Sequence, residues 1–199
     1  MQTQRSFLAN FYKGSVALLM AIALSACTPT YDWRTVKSDD LLFEALYPGK
    51  PTRAEKTLLI ADQKIKMTME AARAGDALYA VGAIQLTKEQ AKLANEVSTY
   101  LQKGILANLG NQDEPLVRHK TVRTLGSPSY ELPAKEWQLS GLGPDQKKRV
   151  MIVRQIQRQF PDGTTMIYQL SVLQSNLNEK NTQEHTEQHQ MFLNQFRPF

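Results

Sequence analysis

Residues 64–71 read KIKMTMEA, and Ile65, Met67, Met69 and Ala71 alternate without a break with Lys64, Lys66, Thr68 and Glu70. A period of two puts one set on each side of an extended chain. The stretch therefore predicts a half-buried strand, apolar set inward and polar set outward. Such a strand must belong to a sheet, and its neighbours are readable on both sides. Ala61-Asp62-Gln63 marks a turn back from a strand at Glu55–Ile60, and Gly75-Asp76 marks the next turn, into a strand at Leu78–Leu86. The three make a meander. Before them, Leu41–Leu46 is a short apolar run stopped by Tyr47-Pro48-Gly49-Lys50-Pro51, where two prolines around a glycine punctuate the chain.

At Thr87 the period changes. Thr87-Lys88-Glu89-Gln90 fits a capping box, with Gln90 at the reciprocal position. Ala91, Ala94, Val97, Leu101 and Ile105 then follow helical spacing, widened by Leu93, Tyr100 and Leu109 and closed by Gly110-Asn111. Strands resume at Leu116–Leu125, Trp137–Leu142, Arg149–Phe160 and Thr164–Leu173, the last two joined across Pro161-Asp162-Gly163. In the final strand Met166, Tyr168, Leu170 and Val172 line one face. Asn178–Phe196 returns to helix, with Thr182, His185, His189, Phe192 and Phe196 on one stripe beside Leu193.

Strands, helix, strands, helix, with hairpin-type turns, define an α+β domain: an antiparallel sheet of about six to eight strands packed with two main helices. The helices close the sheet from both faces or together from one.

The first residues belong to a different kind of segment. Arg5 and Lys13 precede the apolar stretch Gly14–Ala26, and no acidic residue occurs before Asp32. A membrane-crossing helix needs about 20 apolar residues, so this stretch is too short and has the flanks of a secretory signal peptide. It ends on the chain's only cysteine. Leu24-Ser25-Ala26-Cys27 resembles the lipobox of bacterial lipoproteins at all four positions. That resemblance implies cleavage before Cys27 and acylation of its sulfur and its new amine. A thiolate at the membrane surface suits alkylation, and several acyl chains together anchor firmly where one is marginal. Thr28 follows the cysteine; the resemblance to enterobacterial lipoproteins, in which an aspartate there tends to retain the protein in the inner membrane, favours the outer membrane, facing the periplasm.

Three segments follow: 1–26, a signal peptide with its helix; 27–40, the lipidated N-terminus and a tether; and 41–199, one periplasmic α+β domain. Loss of Arg5 and Lys13 lowers Lys+Arg from 24 to 22 against 19 Asp+Glu, so the net charge falls from +5 to +3. With that charge and an extracytoplasmic address, no nucleic-acid partner is expected. With no second cysteine there is no internal disulfide, and stability must come from a core.

Asp32-Trp33-Arg34, YPGKP, GDALYAVG, PDGTTMIYQLSVL and FLNQF occur in that order. The series resembles uncharacterised bacterial lipoproteins whose domain is similar to the PsbP/Mog1 fold, an antiparallel sheet between helices. Some of those relatives carry cysteines near the positions of Gly49 and Ala72; this chain lacks them, and with them any disulfide role. The resemblance implies an adaptor or assembly protein more than a catalyst, and assigns no site residue.

The residues that could carry chemistry are few. His185 and His189 stand four apart on a helix and could share a metal ion, but their spacing is not that of a zinc peptidase. A structural zinc wants four ligands, and the remaining histidine is His119, so the expectation is no metal and no cofactor. No nucleophile elbow, Ser-x-x-Lys or phosphate loop is present, and Gly141-Leu142-Gly143 reads as a turn. Basic residues cluster more. Lys147, Lys148 and Arg149 precede Arg154 and Arg158, which alternate with Ile152 and Ile156 on one face. Arg118, Lys120 and Arg123 form a second group. Lysines and arginines guard sheet edges; the functional reading of the first group is a patch for anionic lipid or an acidic envelope protein. Two functions stand open: a lipid-anchored, non-catalytic binding or assembly domain, held to the membrane through acylated Cys27, and a periplasmic enzyme, such as a metal-dependent hydrolase, without a recognisable motif.

Overall fold

The computed structural model describes residues 29–109, 115–143, 145–175 and 182–199, the side chains of 182–185 excepted. The signal-peptide segment, Leu24, Ser25, Ala26 and Cys27 lie outside the described residues.

The KIKMTMEA stretch sits inside β4 (Gln63–Ala74), between β3 (Thr52–Ile60) and β5 (Ala77–Leu86). Beyond the helix α1 (Ala94–Asn108) come β6 (Arg118–Arg123), β7 (Glu131–Leu142), β8 (Lys148–Gln159) and β9 (Thr165–Ser175). These strands form one seven-stranded sheet in the order β3-β4-β5-β9-β8-β7-β6, and every pairing in it is antiparallel. Two meanders thus meet at β5 and β9, and α1 carries the chain from the middle of the sheet to its far edge. The α+β class and the antiparallel sheet with two helices hold as expected.

The helices lie on opposite faces. Leu93, Ala94, Val97 and Leu101 pack on Leu58, Ile60, Ile65, Met67, Ile84, Leu86 and Ile167. Farther along, Ile105 and Leu109 pack on Trp137, Leu139 and Val153, so α1 crosses its face diagonally. Its entry differs from the expected capping box. The Thr87 N–H does donate to Gln90 Oε1 at 3.3 Å, but a 3-10 turn at Ala91–Leu93 comes first and the α-helix starts at Ala94. At the sheet's far side Gly141 lets the end of α1 come close: a Cβ there would stand 2.2 Å from the Leu109 carbonyl oxygen.

The other face is covered by α2 (Thr182–Asn194) and by a small sheet of β1 (Arg34–Ser38), β2 (Phe43–Tyr47) and β10 (Arg197–Pro198), with β2 in the middle. Phe43, Tyr47, Tyr79, Tyr168, Phe192 and Phe196 interlock there through edge-to-face and tilted ring contacts, each ring adding about 1.5–3 kcal/mol by its burial. The Tyr168 hydroxyl donates to the carbonyls of Leu41 and Leu42, which fastens the small sheet to β9.

Three expectations are corrected. Tyr31–Asp40 is not a tether: Tyr31 stacks on Trp33, the Trp33 indole N–H donates to Gln188 Oε1 at 3.1 Å, and Arg34–Ser38 is paired with β2. The compact unit therefore begins at Tyr31. Thr68 and Glu70 are not outward-facing: the buried set of β4 changes from odd to even positions between Met67 and Thr68. Up to Met67 the odd face lies under α1; beyond it that face is bare, and the even face lies under the small sheet. β7 starts at Glu131 and runs through Pro133, whereas the strand was expected only from Trp137. Its ladder with β8 begins only at Ala134, so the proline's missing donor falls where β7 has one neighbour.

Candidate functional site

The anionic-surface patch does not assemble as expected, and Arg154 is the reason. β8 lies inside the sheet with both faces covered, and the face shared by Ile152, Arg154 and Ile156 is the one under α2. Arg154 is 2 % exposed and Glu136, its cross-strand neighbour on β7, 4 %. Nε and Nη2 donate to Glu136 Oε2 at 2.8 and 2.5 Å. Nη1 donates to the Leu193 carbonyl at 2.7 Å and Nη2 to Asn194 Oδ1 at 3.1 Å. The guanidinium thus neutralises one buried carboxylate and caps the carbonyl end of α2, where a cation is favoured. It belongs to the frame. Arg158, on the same face, lies over the Phe160 ring, half-buried.

Lys147 and Lys148 are exposed in and beside the β7–β8 turn. Arg149 is half-buried and its Nη2 donates to Asp145 Oδ1 at 2.9 Å. Burial pulls the Asp145 carboxyl up, but bonds from the Lys147 N–H and Arg149 outweigh it and hold it below its ordinary value. The surface part of the expected patch is therefore Lys147 and Lys148.

His189 is buried; its Nε2 is 3.3 Å from Gln174 Oε1 and its ring meets Tyr79 edge-on at 5.8 Å. The side chain of His185 lies outside the described residues. Among the described residues no three His, Cys, Asp or Glu side chains converge to hold a metal ion, and no helix is long and apolar enough to cross a membrane.

A groove of about 420 Å³ lies where the face made by the even positions of β4 and the odd positions of β5 runs out from under the small sheet, lined by Asp40, Arg53, Lys66, Thr68, Gln85 and Thr164 among others. Its charges are mutually paired. Arg53 binds Asp40 and holds that carboxyl below its ordinary value, and Lys66 binds Glu55 at 2.9 Å. Behind it, buried Glu70 accepts from Ser38 Oγ at 2.6 Å, while its Oε2 has no hydrogen-bond partner. Burial, helped by the Glu70 charge, raises the neighbouring Tyr47 phenol.

The opposite end of the large sheet differs. β6 is its last strand, and Arg118, His119, Lys120, Thr121 and Arg123 are all exposed. A groove of about 320 Å³ on the α1 side is lined by Asn95, Ser98, His119, Lys135, Gln155 and Gln157. A smaller one, about 240 Å³, lies on the α2 side between Thr121, Arg123, Asn194 and Arg197.

Sequence reasoning overlooked Glu136 and Glu70. Each stands alone among residues of other kinds; only the strand register brings Glu136 to Arg154, and only the packing of the small sheet on the large one brings Glu70 to Ser38.

No protein-family description matches the chain, and no curated protein matches it. Among solved structures, that of LpqN, described as involved in cell envelope biogenesis of Mycobacterium tuberculosis, is similar over 83% of this chain and 78% of that one, at 15% identity and a TM-score of 0.34. A likeness of that size defines no shared function.

Proposed function

We propose that this chain is a lipid-anchored, non-catalytic binding or assembly domain of a bacterial envelope, held through acylated Cys27 on the periplasmic face of the outer membrane. The observation that carries the non-catalytic half is the commitment of Arg154 and Glu136, the charged pair inside the sheet. Arg154, Glu136 and the carbonyl end of α2 bind one another, and the ion pairs around Arg53 close the groove of about 420 Å³ on itself. A general acid or base must instead reach a substrate proton across a hydrogen bond. The lipobox at Leu24, Ser25, Ala26 and Cys27 supports the anchoring half. Since the fold begins at Tyr31, only Thr28, Pro29 and Thr30 separate it from that anchor.

Two measurements test the halves separately. Cys27→Ser is expected to abolish labelling by a radioactive fatty acid and to leave uncleaved precursor; a variant that is still labelled ends the anchoring reading. Cross-linking of the anchored chain in intact envelopes, followed by purification, is expected to recover a discrete envelope partner in wild type. Recovery of no partner, together with turnover of an envelope substrate by the pure chain, ends the binding reading.

A further inference from the structure

We infer that the β6 edge of the large sheet docks an extended acidic peptide segment, which adds to the sheet as an eighth strand. The inference rests on the reading of the chain as a binding domain and gives that reading a surface and a partner chemistry.

The backbone provides the first reason. β6 pairs with β7 along Arg118–Arg123 and, among the described residues, has no strand on its other side. Alternate N–H and C=O groups of a terminal strand point outward, ready to pair with another chain. Among the described residues, no backbone bond outside the β7 ladder uses a donor or acceptor of Arg118–Arg123. β10 approaches only the far end of the strand, where the Leu125 N–H donates to the Pro198 carbonyl at 2.7 Å.

Charge provides the second. Arg118, Lys120 and Arg123 lie on β6, and Lys135 faces His119 across the ladder. Of the two acidic residues on the neighbouring strand β7, Glu131 binds Arg123 at 3.3 Å. Glu136, directly opposite Arg118, is turned inward and taken by Arg154. Arg118, Lys120 and Lys135 therefore form no ion pair with any described residue, and the edge carries an excess of positive charge. The opposite edge, β3, is nearer balance: there Arg53 and Lys66 pair with Asp40 and Glu55, leaving Lys56 and Lys64 over. An edge that merely has to be guarded is served by either arrangement; an unbalanced one attracts carboxylates.

The third reason is the flanking space. Side chains of an added strand fall alternately to the two sides of the sheet. On one side they meet the groove of His119, Lys135 and Gln155, and on the other the groove of Thr121, Asn194 and Arg197. Strand addition takes its affinity from main-chain bonds and its selectivity from such alternate pockets.

The test uses the full chain purified in detergent micelles and a fluorescent synthetic peptide of alternating glutamate and valine. Wild type is expected to bind the peptide at low salt, and to bind the lysine-valine counterpart at least about tenfold more weakly. The same peptide with alternate backbone nitrogens methylated is expected to lose binding, because it cannot complete the ladder. Amide exchange in Arg118–Arg123 is expected to slow on peptide addition while that of β3 does not change. Arg118→Glu with Lys120→Glu is expected to weaken binding about tenfold or more with an unchanged melting curve; if that variant does not fold, Arg118→Gln with Lys120→Gln replaces it. No binding of the acidic peptide overturns the inference, as does equal binding of the methylated peptide. So does capture of anionic vesicles by Arg118 and Lys120 in the absence of peptide binding, which would make the edge a membrane contact. Any of these results leaves the broader binding reading to the cross-linking experiment.

Discussion

Arg154 and Glu136 form an ion pair in the interior of the sheet, with two guanidinium nitrogens on one carboxylate oxygen and a third on the last turn of α2. Removing one partner strands the other charge, at a cost of about 3–5 kcal/mol. Arg154→Ala is therefore expected to lower the urea midpoint markedly and to speed amide exchange in Thr186–Asn194 more than in α1. Replacing both together, Arg154→Met with Glu136→Leu, is expected to recover most of that loss. A loss under about 1 kcal/mol for the single variant would contradict the buried pair.

The binding of His189 to Gln174 makes a prediction about metal. His189→Ala leaves the buried Gln174 amide short of a partner and is expected to cost about 1–3 kcal/mol. A chelator is expected to leave the melting temperature of the wild type where it was. A drop on chelation, reversed by zinc and missing from a His185→Ala, His189→Ala double variant, would establish a metal site instead.

Lys147 and Lys148 are the part of the first basic cluster that faces solvent. Reversing both to glutamate is expected to change stability by no more than about 0.5 kcal/mol. Each lysine near an anionic leaflet contributes about 1 kcal/mol, so the double reversal is expected to remove weak binding to phosphatidylglycerol vesicles at low salt. Wild-type binding should fade as the Debye length shortens to about 8 Å. Wild type that ignores such vesicles removes the membrane role of these lysines.

Two glycines in the region of α1 are expected to behave oppositely. Gly141→Ala drives a methyl group into the Leu109 carbonyl and is expected to destabilise by about 1–3 kcal/mol. Gly104 is exposed in the helix with nothing within 4 Å of a Cβ, and Gly104→Ala is expected to stabilise by about 0.5–1 kcal/mol. Thermal denaturation of the two variants checks both signs.

The alternation of 64–71, the helical spacing of Ala94, Val97, Leu101 and Ile105, and the Pro161-Asp162-Gly163 turn were legible because each depends on near neighbours in the chain. Arg34–Ser38 was not. Its RTVKS offers one apolar side chain, Val36, and its strand state comes from pairing with β2. The two-residue β10 has no period to read. At Met67–Thr68 and at Arg154 the failure has one cause. Alternation tells which side chains share a face, but not which face the helices and small sheet will cover. Whether Arg154 meets water or Glu136 is decided by strand order, and no local pattern encodes that order.

The small sheet has a consequence for the order of folding. Its middle strand, β2, is held on one side by β1 and on the other by β10, more than 150 residues later in the sequence. Phe196, beside β10, fills the same core as Phe43. A chain that emerges from its N-terminus delivers β1 and β2 first, yet they cannot close around their core until Phe196 and Pro198 have emerged. Until then Phe43, Tyr47 and the aromatic face of β9 lack part of their cover. Closure of this face is therefore tied to the completion of the chain, and the last few residues decide when it happens.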